Sequence, residues 1–253
     1  MFYIIVILKK LSSCDLLCAM LVFLMAEGLF ARKSVGLAGA AVFGSLAALS
    51  TVVIPARIQP AFPILPFLRF DPAELFSVLA FLIFGPIPGF IVATVHWIFL
   101  TATGSGTPLG PAVKFVAVIA TLVGLWIGSR VYQRLAARYR SNWFAVTCML
   151  VFAVLVRVGI LLIVNYYVFT YIGPVIFGID YLGFSQKTLQ TTLGLQFAGP
   201  WDIVVAMLLY TSIFNILQTV FSIIIPYIIF TPLSVKIPEI ASGNPWISKF
   251  MKR

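Results

Sequence analysis

Apolar residues run in long blocks along this chain, and the polar residues gather between them. The blocks predict helices near 34–54, 73–85, 87–103, 111–133, 143–171 and 201–231. Several approach the roughly 20 residues that cross a bilayer. The blocks at 73–85 and 87–103 are short and meet at Gly85-Pro86-Ile87-Pro88-Gly89, a sequence that stops one helix and starts the next. They are expected to sit among other helices. The blocks at 143–171 and 201–231 are long enough to tilt or to extend past the hydrocarbon. The expected fold class is all-α, a polytopic membrane protein with six transmembrane helices.

Composition agrees with the pattern. A chain that is 62% hydrophobic and 9% charged lies far outside the soluble range. Residues 33–253 are expected to form one membrane domain. Residues 1–32 fit less well, because Met1–Leu8 and Leu16–Met25 are each too short to span comfortably. They read as an N-terminal extension, either a short interfacial segment or the result of a start placed upstream of a native Met25.

Basic residues separate by side. Arg32-Lys33, the run Arg130, Arg134, Arg138 and Arg140, and the tail with Lys236, Lys249, Lys252 and Arg253 fall together. Arg57, Arg69 and Lys187 fall opposite, beside Asp71, Glu74 and Asp180. The excess of Lys and Arg places both ends of the helical unit in the cytoplasm of a cell bounded by this plasma membrane, with loops 55–72, 104–110 and 172–200 outside. The net charge of +10 is thereby an orientation signal. It forms no basic-aromatic stripe of the kind nucleic acid requires.

The loop before Asp71 is itself apolar. It carries Phe62, Ile64, Leu65, Phe67, Leu68 and Phe70, while Pro60, Pro63 and Pro66 hold it extended with few backbone donors to satisfy. Such a loop suits closure over an apolar ligand. Packing on neighbouring helices with no ligand is an equal alternative.

Catalytic chemistry has little to work with. His96 is the lone histidine, without a second histidine for a metal pair, and reads first as a hydrogen-bonded structural residue. Cys14, Cys18 and Cys148 imply no disulfide framework and no metal site, and Gly104-Ser105-Gly106-Thr107 lacks the lysine of a nucleotide cradle. Neither enzyme activity nor a cofactor is expected.

Polar groups inside the spans carry more weight, since hydrocarbon penalises each of them. Arg157 and Asn165 lie eight residues apart on one helix face, and Asn215 and Gln218 lie three apart on another. Amides offer paired donors and acceptors without charge, as a neutral heterocycle with carbonyl and imide edges would need. Tyr166, Tyr167, Tyr210 and Trp201 offer stacking faces. Helix-to-helix bonding by the same amides is the competing reading. Lys114 either snorkels to the interface or faces the cavity, and Arg157 has the same two alternatives on the cytoplasmic side. In the span at 34–54, Gly36, Ala40, Gly44 and Ala48 recur every four residues, with Ala41 and Ser45 beside them. This groove would admit another helix, either of this chain or, as preferred here, of a separate subunit.

The segments PAFPILPFLRFDPAEL and FGPIPG, with Asn165-Tyr166-Tyr167 and Asn215-x-x-Gln218, resemble the S components of energy-coupling factor (ECF) vitamin transporters, and among these the riboflavin-binding RibU group. The resemblance runs from about residue 33 onward. It implies a six-helix, non-enzymatic binding subunit that works with a transmembrane T subunit and two cytoplasmic ATPases. The implied ligand site, beneath the loop after the first helix, includes Asn165, Asn215, Gln218, Phe62, Leu65, Phe67, Lys114 and Tyr166. The small-residue stripe at Gly36, Ala40, Gly44 and Ala48 would meet the T subunit. Gln218 stands where the family has lysine, which opens the alternative of a different vitamin or heterocycle. A stand-alone secondary transporter is a further alternative, disfavoured by the lack of a clear internal repeat and of intramembrane acids.

Overall fold

The computed structural model describes residues 33–54, 58–103, 107–135 and 142–236. The N-terminal extension, Cys14, Cys18, Met25, the glycine turn at 104–106 and the basic tail beyond Lys236 lie outside the described residues. Among the described residues, seven α-helices and a two-stranded hairpin follow in chain order: α1 (Lys33–Val53), β1 (Ala61–Phe62), β2 (Leu65–Arg69), α2 (Glu74–Phe84), α3 (Pro86–Ala102), α4 (Leu109–Leu135), α5 (Asn142–Tyr167), α6 (Tyr181–Leu193) and α7 (Pro200–Lys236). The chain is an all-α membrane protein. Among the described residues, four helical stretches, Ser34–Val53, Leu109–Leu135, Trp143–Ile176 and Pro200–Leu233, have the length and apolarity to cross a bilayer.

The two short helices are parts of one broken element. α2 rises only about 16 Å over its 11 residues. Gly85 then takes φ 101°, a backbone conformation that side chains with a Cβ disfavour, and Pro86 starts α3 with its fixed φ. Both helices are largely buried, and Val78, Phe81, Leu82, Phe90 and Ala93 join Leu122, Leu125, Met149 and Ile223 in the main core.

Glycine sets the closest helix crossing. A Cβ on Gly128 of α4 would stand 2.6 Å from the Cys148 carbonyl oxygen and the Met149 Cα of α5, and Gly124 meets Ala153 as tightly. The spacing Gly124-x-x-x-Gly128 lets the two backbones touch, as helices in lipid do where small residues meet. The exposed faces carry lipid-compatible side chains, including Leu37, Val42 and Leu49 on α1 and Leu155, Leu162 and Ile163 on α5.

Two features were not foreseen. The apolar loop forms an antiparallel hairpin, pairing Ala61 with Arg69 and Phe62 with Leu65. The stretch after α5 continues through a wider π-helical segment, Val168–Ile176, and leads to α6. Asp180 caps α6, its carboxylate accepting from the Gly183 N–H at 2.8 Å, and Gly194 closes it in the left-handed conformation.

Candidate functional site

The hairpin is a lid packed by aromatic contacts. Phe62 and Phe70 both meet Phe214 of α7, at ring-centroid distances of 5.7 and 5.0 Å. Phe67 reaches Phe169, Tyr181 and Phe184 on the other flank. Leu65 is fully buried beside Leu189 of α6.

Beneath β2 lies a cavity of about 520 Å³, a volume suited to a ligand of drug size. Phe67, Leu68 and Arg69 roof it; Lys114, Leu161, Phe169 and Phe214 contribute walls; Glu74, Arg157, Asn165, Thr211 and Asn215 give it polar groups. A few polar groups in an apolar enclosure orient a ligand while its rings supply the burial.

One buried network supports this polar surface. The Arg157 guanidinium donates to both Glu74 oxygens, from Nη1 to Oε2 at 2.8 Å and from Nη2 to Oε1 at 3.2 Å. Its Nε donates to Asn215 Oδ1 at 3.1 Å and its Nη1 to Thr121 Oγ1 at 3.1 Å. Ser222 donates to Glu74 Oε2 at 3.0 Å, and Gln218 Nε2 donates to Ser222 Oγ and to the Asp71 carbonyl, each at 3.1 Å. Arg157 is therefore no snorkelling residue. It is 2% exposed, because the carboxylate at the start of α2 lies within reach of its head.

Asp71 anchors the end of the hairpin. Its carboxylate pairs with Lys114 of α4 and accepts the Ala73 N–H at 2.9 Å. Burial alone would push this carboxyl up, but the Lys114 ammonium and these hydrogen bonds outweigh it and hold the group below its usual range. His96 shares a 3.0 Å hydrogen bond with Thr51, as a satisfied core histidine does. Among the described residues, no three His, Cys, Asp or Glu side chains gather into a group that could hold a metal ion.

No family model matches the chain. In sequence it is similar to the riboflavin transporter RibU of Staphylococcus aureus (strain TCH60), 27% identical over 158 residues, which cover 61% of this chain and 79% of that protein. In structure it is similar to the S component of a bacterial ECF transporter, with a TM-score of 0.57 and 21% identity over 81% of this chain and 99% of the other. The chain has the ECF S-component fold. It is RibU-like in sequence, similar to a transport protein.

Within this S-component fold the expected ligand residues divide. Asn165, Asn215, Lys114 and Phe67 line the cavity. Phe62 and Leu65 fasten the lid from outside it. Tyr166 faces away, its ring parallel to that of the exposed Trp201 with centroids 6.3 Å apart. Gln218 is 1% exposed and bonds to the Asp71 backbone, so it holds the hairpin end and does not line the cavity. The small-residue stripe also turns inward. Ala40 is fully buried, Gly36 faces Pro88 and Gly44 faces Val95, so α3 of the same chain occupies the groove that was expected to take a partner.

Sequence reading missed Glu74 and Thr211 as cavity residues. Thr211 had a signal, standing four residues before Asn215 on the same helical face. Glu74 was read only as an outer-side acid grouped with Asp71 and Asp180, because its partner lies 83 residues away.

Proposed function

We propose that this chain is the substrate-binding membrane subunit of an ATP-driven ECF importer, capturing riboflavin or a related flavin outside the cell and releasing it to the cytoplasm. The observation that carries the reading is the aromatic-capped cavity with Asn165 and Asn215 in its wall. Asn165 is 6% exposed and makes no hydrogen bond among the described residues, so its amide is available to a ligand. A flavin has a broad apolar ring face and an edge of carbonyls and ring nitrogens, which match these walls and amides. The sequence likeness to a riboflavin transporter supports the ligand, and the S-component fold supports the mode of action.

The importer would be completed by a T subunit and two ATPases, with the hairpin facing outward and the termini of the helical unit in the cytoplasm. Ser34, Ala38, Ala41 and Ser45, exposed on α1, are small residues of that helix still open to close approach by a T subunit. The Gln218 departure loses force as an argument for another heterocycle, since this side chain touches the lid and not the cavity. Stand-alone ion coupling gains little from the intramembrane Glu74, because Arg157 already holds both of its oxygens.

The test is the colour of the protein. Purified from its native membrane, it should carry a bound flavin with visible absorbance and bind riboflavin tightly after stripping. Uptake into liposomes should require the ATPase subunits. A colourless preparation that ignores riboflavin would defeat the ligand assignment, and uptake by this chain alone would defeat the importer.

A further inference from the structure

The bonds around Asn215 permit one orientation of its amide. Arg157 Nε can only donate, so the Asn215 atom facing it at 3.1 Å is the carbonyl oxygen. The Thr211 carbonyl can only accept, so the atom facing it at 2.9 Å is the amide nitrogen. Turning the amide over would set donor against donor at Arg157 and oxygen against oxygen at Thr211, which removes the usual ambiguity of such groups. With its oxygen drawn to the cation and one hydrogen engaged, the amide has one N–H left for the cavity it lines.

Thr211 itself stands one turn earlier on α7, lines the same cavity and is 2% exposed. Its hydroxyl has no hydrogen-bond partner. A buried hydroxyl left unpaired is unfavourable, and a ligand acceptor would relieve it. Residues four apart on a helix share a face, so the two donors stand side by side.

We propose that the Thr211 hydroxyl and the Arg157-locked Asn215 amide form a donor pair that reads a ligand edge with two neighbouring acceptors, such as a ring nitrogen and the adjacent carbonyl oxygen of a flavin. Thr211 is a ligand-contacting residue, and Arg157 is the positioning residue that denies Asn215 the opposite polarity. The assignment rests on the proposed ligand site and specifies what that site selects.

The full chain in detergent is titrated with riboflavin, 1-deazariboflavin and 5-deazariboflavin, and thermal midpoints are recorded for the parent, Thr211→Val, Asn215→Asp and Asn215→Leu. Valine keeps the shape of threonine, so Thr211→Val should hold its midpoint while binding riboflavin about tenfold more weakly. One deaza analogue, lacking a ring acceptor, should bind the parent about tenfold more weakly than riboflavin does. Asn215→Asp keeps an oxygen for Arg157 but offers the ligand no donor. Its midpoint should match or exceed that of Asn215→Leu while riboflavin affinity falls about a hundredfold. Parent-like riboflavin binding by Thr211→Val or Asn215→Asp would overturn the donor pair, as would equal binding of all three flavins by the parent. A midpoint for Asn215→Asp below that of Asn215→Leu would overturn the lock. If the parent binds no flavin, the ligand of the proposed function fails, and the two midpoints at position 215 still decide whether Arg157 locks the amide.

Discussion

Arg157 and Glu74 form a two-pronged ion pair between α5 and the start of α2, with side chains only 2% and 3% exposed. Two charges at that depth lose most of their hydration, so the pair persists only because Thr121, Asn215 and Ser222 complete its hydrogen bonds. Removing one member leaves the other buried and uncompensated.

Arg157→Met and Glu74→Gln should therefore each destabilise the purified chain by about 3–5 kcal/mol, whereas Arg157→Met combined with Glu74→Leu should recover part of the loss. Thermal or denaturant unfolding in a fixed detergent gives the comparison. A double variant no more stable than either single one would show that the pair is not acting as a unit.

The crossing of α4 and α5 makes a second demand. Gly128→Val and Gly124→Leu force side-chain atoms into the α5 backbone and should lower the midpoint of unfolding more than Gly110→Ala, whose added Cβ meets nothing within 4 Å. Equal midpoints would place the two helices farther apart than the structure does.

Much of this architecture was legible in the chain. The helical blocks, the Gly85-Pro86 break and the apolar loop show up because each is a local property, set by side-chain polarity or by backbone restriction within a few residues. The destination of a polar side chain is not local. Asn165 and Asn215 could be guessed as cavity residues from burial cost and helical facing, but nothing near Gln218 announces that it bonds to the Asp71 carbonyl, 147 residues earlier. The small stripe on α1 was visible for the same local reason as the loop, yet pattern alone cannot say which helix fills a groove. Gly124 and Gly128 carried the same kind of signal and went unread.

Because α3 fills that groove, enlarging the stripe should damage the chain itself. Ala40→Leu should lower thermal stability and riboflavin binding together, before any partner is added. Retained stability and binding, with assembly alone lost, would restore the partner-facing reading.

The Asp71–Lys114 pair predicts an acid limit to capture. The folded carboxyl ionises below the ordinary aspartate value of 3.8, so its contribution is present above that value and is lost as pH falls through the lower, folded value. Riboflavin affinity should stay flat through the neutral range and drop below about pH 3.8. Asp71→Asn should weaken capture at neutral pH and remove that acid-dependent step. A fall in affinity at neutral pH in the parent would assign the titration to another group.

Asn165, free of protein partners among the described residues, gives the plainest ligand test. Asn165→Ala should reduce riboflavin affinity by about 1–3 kcal/mol, or roughly five- to a hundredfold, with little change in the midpoint of the empty protein. Parent-like affinity would remove Asn165 from the site.

Asp71 fixes the hairpin through two unlike bonds, its carboxylate to Lys114 of α4 and its carbonyl to Gln218 of α7. If the proposed ligand enters beneath the hairpin, a molecule held there would leave by this route when the hairpin lifts, and its residence time would depend on when both bonds let go. Gln218, outside the cavity, could then tune residence time without touching the amides proposed to recognise the ligand, whereas Lys114 lines the cavity and would change both.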